Sequence, residues 1–321
     1  MTEHLLDPES VHHVWDNSLP PAVQIRSGDV VHFQTKDGSD GQLRPGCPAE
    51  DLRRLDASRF YPLAGPVRVE ETMPGDVLEV EVLAMEPGAW GWCGIIPGLG
   101  LLAGDFKRPY LRHFQLEGRA CAALTDRVHV PIRPFAGTMG VAPPAPGRHP
   151  VMPPRRGGGN IDTRHLTVGA RLSLPVEVPG AMFSVGDTHA AQGDGEVCGN
   201  AIECPMRFSL RFTMRGGAGP QDADYWFTTG PDAAEAASGR RGGWFATAAV
   251  GPDLLENSRR SVRAMIAWLC REQGLSREDA YVLCSLAADL RVSQVVDEPN
   301  LSVAAHLPLE VFDHCDLALE P

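Results

Sequence analysis

Over the first two thirds of the chain, apolar and polar residues alternate in short runs broken by Gly and Pro. Asp76-Val-Leu-Glu-Val-Glu-Val-Leu83 sets Leu78, Val80 and Val82 on one face and Glu79 and Glu81 on the other. That is the signature of a half-buried antiparallel strand, and Pro74-Gly75 before it predicts a turn. Val30 to Gln34, Val128 to Ile132 and Arg171 to Val178 read the same way, the last placing Leu172, Leu174, Val176 and Val178 on one face. The proline-rich stretch from Pro143 to Pro154 predicts an extended surface loop, because proline supplies no amide donor to a sheet. The period changes after Pro252-Asp253: Val262, Met265, Ile266 and Leu269 recur as one helical stripe, and Gly274 suits its C-terminal cap. Ser276 with Asp279 predicts the opening of a shorter helix, and Asp289 to Asp297 returns to strand alternation.

The pattern therefore predicts a mainly β fold, antiparallel sheets closed as a barrel or packed as a sandwich, with an α+β C-terminal portion. Three regions differ in texture: 1–120 and 121–250, both β-rich, and 251–321, packed together as one or two compact units. Strands do not alternate with helices, which argues against a doubly wound sheet. A length of 321 residues suits one or two domains, and 43% hydrophobic with 22% charged residues is an ordinary globular balance.

Charge and cysteines narrow the partners. A net charge of −12 argues against nucleic acid and anionic membranes as partners and favours a small neutral substrate. No apolar stretch nears the ~20 residues of a membrane span, and the N-terminus lacks a basic region followed by an apolar core, so a cytoplasmic protein is expected. Eight cysteines without a C-x-x-C pair predict neither a zinc knuckle nor a disulfide scaffold.

Candidate chemistry is concentrated in Phe183 to Glu203. Asp187, His189, Asp194, Glu196 and Glu203 share this run with Gly186, Gly193, Gly195 and Gly199. Carboxylates this dense repel one another unless a cation or shared protons relieve them. Asp187 and His189, two apart, would share one face of a strand. Upstream, Gly157-Gly-Gly-Asn160-Ile-Asp162-Thr-Arg-His165 again joins flexible backbone to ligand-type side chains. The two segments together predict a hydrolytic site with a divalent metal.

Gly186-Asp-Thr-His-Ala-Ala-Gln-Gly-Asp-Gly-Glu-Val-Cys-Gly199 resembles the hallmark of the acetamidase/formamidase family. So do Gly158-Gly-Asn-Ile-Asp162, Pro134 to Pro143, and Ser293-Gln-Val-Val-Asp297, in order along nearly the whole chain. The resemblance implies hydrolysis of short linear amides, or of cyclic amides such as γ-lactams, on a mostly β fold, in a homo-oligomer that would be a dimer. One departure is Asn200, where the resemblance leads one to expect Thr after Cys198-Gly199; this bears on which amide is accepted.

Amide hydrolysis needs a polarised carbonyl, a nucleophilic water and a proton for the departing nitrogen. From the residues alone, Asp162, Asp187 and His189 are the expected metal ligands, a mixed N/O set that suits zinc, with calcium as the alternative. His165 is a weaker candidate for a fourth ligand. Glu196 is the expected general base, with Asp194 as a second catalytic carboxylate; Asp194 or Glu203 can exchange roles with any of these. Asn160, Cys198, Asn200 and Glu203 are expected around the substrate. Two other readings stay open: Cys198 attacking the amide to form a thioester, and a non-catalytic, calcium-stabilised β binding module.

Overall fold

The computed structural model describes residues 1–217, 219–230 and 242–312. Two sheets carry most of it. The larger has nine strands in the spatial order Glu3–Leu5, Val30–Thr35, Met206–Arg215, Val77–Pro87, Arg171–Pro175, Tyr225–Thr228, Trp244–Gly251, Leu301–Pro308 and Asp289–Gln294. All neighbours are antiparallel except the first pair. The smaller runs Gly158–Asn160, Phe135–Gly140, Phe183–His189, Leu63–Val69 and Val11–His12, with Val23–Ile25 added parallel to Leu63–Val69. The larger sheet takes strands from all three sequence regions, so the texture changes near 120 and 250 do not mark layers of the fold.

The expected alternation is visible in Val77–Pro87. Leu78, Val80 and Val82 are buried, while Glu79 pairs with Arg215 at 2.9 Å and Glu81 with Arg211 at 2.6 Å on the outer face. The buried faces of the two sheets meet in one apolar cluster, in which Phe183 of the smaller sheet stands edge-on to Phe212 of the larger at 5.1 Å. At roughly 1.5–3 kcal/mol for each fully buried aliphatic or aromatic side chain, this sandwich core is the main stabilising term. The alternating stretch from Arg171 becomes a strand only as far as Pro175.

The C-terminal helices cover the far end of the larger sheet. Helix α1 (Leu254–Gln273) is capped by the Asp253 side chain, which accepts from the Glu256 amide, and ends at Gly274 in the left-handed conformation with φ 66°. Helix α2 (Arg277–Ala287) starts at Ser276, whose hydroxyl accepts from the Asp279 amide. The Gly274 and Ser276 caps are those the sequence predicts. Phe245, Met265, Leu269, Ala305 and Leu307 form a second core beneath them, with Trp268 stacked on Phe245 at 3.8 Å between centroids. Strand Trp244–Gly251 is thus buried on both faces: Ala246, Ala248 and Val250 meet the sandwich core, Phe245 the helices. Among the described residues no helix is long and apolar enough to cross a membrane.

Leu269 is fully buried under this helical layer. Leu269→Ala should lower the unfolding free energy by about 2–5 kcal/mol through the cavity it leaves. Urea unfolding followed by tryptophan fluorescence measures this, and a loss below about 1 kcal/mol would contradict the packing described.

Candidate active site

The site is built around strand Phe183–His189 at the centre of the smaller sheet, which presents Asp187 and His189 on one face. Opposite Asp187 runs Phe135–Gly140, where Ala136 pairs with Thr188 and Thr138 with Gly186. The residue between them is Gly137. A Cβ there would stand 2.5 Å from Asp162 Oδ1, 2.8 Å from His189 Cε1 and 2.9 Å from Asp187 Oδ2, so only glycine leaves room. The Gly137 carbonyl also accepts from the Ile161 and Asp162 amides at 3.1 and 3.0 Å, which brings Asp162 to the same spot. Gly38 closes the other side: a Cβ there would meet Glu203 Oε2 at 2.5 Å.

Five carboxyl side chains and one imidazole gather in this cradle, all buried: Asp162, Asp187, His189, Glu196, Glu203 and Asp297. His189 Nε2 lies 3.2 Å from Asp187 Oδ1, 3.1 Å from Glu203 Oε1 and 4.0 Å from Glu196 Oε1. Its Nδ1 is 2.9 Å from Gln192 Oε1. Two sets have the spacing to hold a cation, Asp162 with His189 and Glu196, and Asp187 with His189 and Glu203. The three expected ligands therefore divide between two sets that share His189. Asp162 Oδ1 and Oδ2 and Glu203 Oε2 are buried without a hydrogen-bond partner. Oxygens left bare in this way, beside an imidazole nitrogen, form a donor set that fits a divalent transition metal. Asp162, Asp187 and Glu196 also hold left-handed backbone conformations, with φ of 44°, 52° and 46°, a strain that clusters at functional sites.

Protonation follows from burial. It pushes Asp187 up to about 7, His189 opposing the rise, and pushes Asp297 up to about 6. Asp162 is held well above the carboxylate range by burial and by Glu196, Asp297 and Asp187; Glu196 is held well above it too, burial outweighing the pull of His189. For Glu203 burial is outweighed by its contacts with His189 and the Ala201 amide, and its carboxyl sits below the usual value. The same carboxylates outweigh the burial of His189 and hold it protonated well above the usual imidazole range. A bound cation and these protons are alternative ways of neutralising one charge cluster.

The remaining candidates lie at its margins or outside it. Asp194 is a third exposed, and its carboxylate is taken by Arg164 Nε at 2.8 Å and Arg291 Nη1 at 3.4 Å. The structure does not bring it to the cluster; it anchors the loop that carries Glu196. Glu203, expected near the substrate, belongs to one of the two ligand sets. Asn160 accepts from Thr138 Oγ1 and donates to Asp297 Oδ2 at 2.8 Å, so it orients Asp297. Asn200 spends its amide on the Gly94 backbone, accepting from N and donating to O, both at 2.8 Å. Cys198 Sγ faces the Gly94 carbonyl at 3.4 Å and accepts from the Cys93 thiol, which draws its pKa down to about 7. His165 stacks edge-on against His306, and its Nε2 lies 3.8 Å from Asp194. Sequence reasoning quoted Asp297 in a motif but gave it no role, and it passed over Gln192, Gly137 and Tyr61. Tyr61 and Glu203 share the wall of a narrow cleft with Gly38, Phe60, Trp92, Ile96 and Gly199. The seven described cysteines are free of disulfides.

A model of the acetamidase/formamidase family matches residues 2–149 and 147–314. The chain belongs to that family. An acetamidase of Mycolicibacterium smegmatis is 30% identical over 259 residues, 60% of this chain and 63% of that protein. A formamidase of Methylophilus methylotrophus is 28% identical over 253 residues, 60% of this chain and 61% of that protein. The matches span a little under two thirds of the length of these curated relatives. Among solved structures, an acetamidase from Bacillus halodurans superposes with a TM-score of 0.85 at 30% identity, covering 96% of this chain and 98% of that one. A γ-lactamase from Delftia acidovorans shares the fold, with a TM-score of 0.64 at 23% identity over 97% of this chain and 94% of that one.

The raised carboxyls set a pH dependence. A carboxyl whose folded pKa exceeds its unfolded value binds more protons in the native state, so its contribution to stability is lost as pH rises. For Asp187 and Asp297 that window runs from about 4, the unfolded value, to about 7 and about 6. Chelator-treated protein should show a urea midpoint that falls between pH 5 and pH 8, and added zinc should reverse much of the fall. A midpoint that rises over this range would contradict the charge cluster.

Proposed function

We propose that this chain hydrolyses the C–N bond of short amides to a carboxylate and ammonia or an amine, at a divalent cation held around His189. The observation that carries the reading is the shared position of His189 Nε2 between two buried carboxylate sets, inside a fold of the acetamidase/formamidase family. His189, Asp187 and Glu203 make the closer set, and Asp162 with Glu196 completes the second. An imidazole at the centre favours zinc over calcium, because nitrogen ligands suit transition metals and calcium takes oxygens. When bound, such a cation polarises the amide carbonyl and lowers the pKa of a water toward ~7.

The chain's own groups supply the rest. Glu196 Oε1, 4.0 Å from His189 Nε2, is placed to accept a proton from the attacking water and pass it to the departing nitrogen. Tyr61 lines the cleft, and burial together with Asp187 and Asp297 keeps its phenol protonated, so that it remains an O–H donor. A thioester route through Cys198 has less support, since the thiol faces Cys93 and the Gly94 carbonyl, with no imidazole as its partner among the described residues.

Two variants test the assignment by ammonia release from formamide, acetamide and a γ-lactam. Glu196→Gln keeps the shape but removes the basicity, so turnover should fall by about 10²–10⁴ with zinc content unchanged. Loss of zinc would make Glu196 a ligand, and unchanged turnover would remove it from the chemistry. Cys198→Ala should keep turnover within about threefold; an inactive variant, with a covalent acyl adduct trapped on the parent protein, would establish the thioester route instead.

A further inference from the structure

We infer that Gln192 is the positioning residue of the site: its amide selects the nitrogen that His189 presents to the cation and ties the Asp162 main chain to that imidazole. The inference rests on the proposed cation at His189. Gln192 Nε2 lies 2.9 Å from Asp162 O and 3.5 Å from Ser293 O. Both are carbonyl oxygens, which only accept hydrogen bonds, so the NH₂ end must face them. Oε1 is thereby directed at His189 Nδ1, 2.9 Å away. A carboxamide oxygen also only accepts, so Nδ1 must carry a hydrogen. In a neutral imidazole this leaves the lone pair on Nε2, the nitrogen that faces Asp187, Glu203 and Glu196. A flipped amide would set its oxygen against two carbonyl oxygens, losing both of those contacts.

The same side chain joins three separated segments. Residue 192 follows strand Phe183–His189, Asp162 follows Gly158–Asn160, and Ser293 lies in Asp289–Gln294, four residues before Asp297. Each segment delivers a charged member of the cluster. The loop around Gln192 is itself held in place: Gly195 donates to the Ser293 carbonyl at 3.0 Å and Asp194 is clamped by Arg164. Gln192 is half-buried at the edge of the cluster and does not touch the cleft beside Tyr61 and Glu203, so it acts through His189 and Asp162.

Outer hydrogen-bond partners of metal ligands typically contribute 10–100-fold in affinity. Zinc affinity of the full chain, from competition with a chromophoric chelator, and the visible spectrum of the cobalt-substituted protein test the inference without an activity assay. Gln192→Leu should weaken zinc binding by about 10–100-fold and alter the cobalt bands. Gln192→Glu keeps an acceptor for His189 Nδ1–H but sets an oxygen against the Asp162 and Ser293 carbonyls, so it should recover only part of the affinity. Wild-type affinity in Gln192→Leu would overturn the inference while leaving the proposed cation intact. Wild-type protein that takes up neither ion would overturn both. If Gln192→Leu does not fold, as judged by circular dichroism, Gln192→Glu decides: weaker zinc binding than wild type supports the inference, and wild-type affinity overturns it.

Discussion

Five buried carboxyls around a single imidazole are the constraint to which the rest of this molecule answers. Like charges a few ångströms apart in a medium of low dielectric cannot all ionise. The fold tolerates them because each oxygen is given a proton, a cationic neighbour, an amide donor or room for a cation. Gly137 and Gly38 supply that room by lacking side chains, and the strained conformations of Asp162, Asp187 and Glu196 aim the carboxyls into it. The sandwich core is well placed to hold the strain at Asp187, since the strand that carries it is packed on Phe135 and Phe212.

This arrangement divides labour between residues that look alike in sequence. Glu203 and Asp194 are both acidic members of one glycine-rich run. A backbone bridge to Trp92 carries Glu203 inward, whereas Arg164 and Arg291 hold Asp194 at the surface. Asn160 and Asn200 are both buried amides beside the site, yet one orients Asp297 and the other binds the Gly94 backbone. Side-chain type sets what a residue is able to do; the strand or loop that carries it sets what it does.

Much of the fold was legible because local chemistry agreed with the tertiary result. The alternation of Leu78, Val80 and Val82 matched the buried face of a real strand, and Ser276 and Gly274 capped the helices as their types predict. The core of the site was legible too, since Asp187 and His189 are two apart on one strand. Asp297 and Gln192 were harder to see. Asp297 meets Asn160 across 137 residues of sequence, a pairing no local pattern encodes. Gln192 looks like a polar loop residue until the carbonyls it faces are known. Gly137 is one of many glycines, and its importance lies in what a Cβ would strike.

The cluster is assembled from segments near positions 162, 187, 196, 203 and 297, none of which holds a site alone. Because these contacts close long loops in the chain, they belong to the slow, topology-limited class of folding events, in which entropy is lost well before contacts compensate for it. A nascent or partly unfolded chain would therefore expose the acidic segments separately, without the proximity that raises their proton affinity. Repulsion among the carboxyls therefore arises only as these distant segments come together.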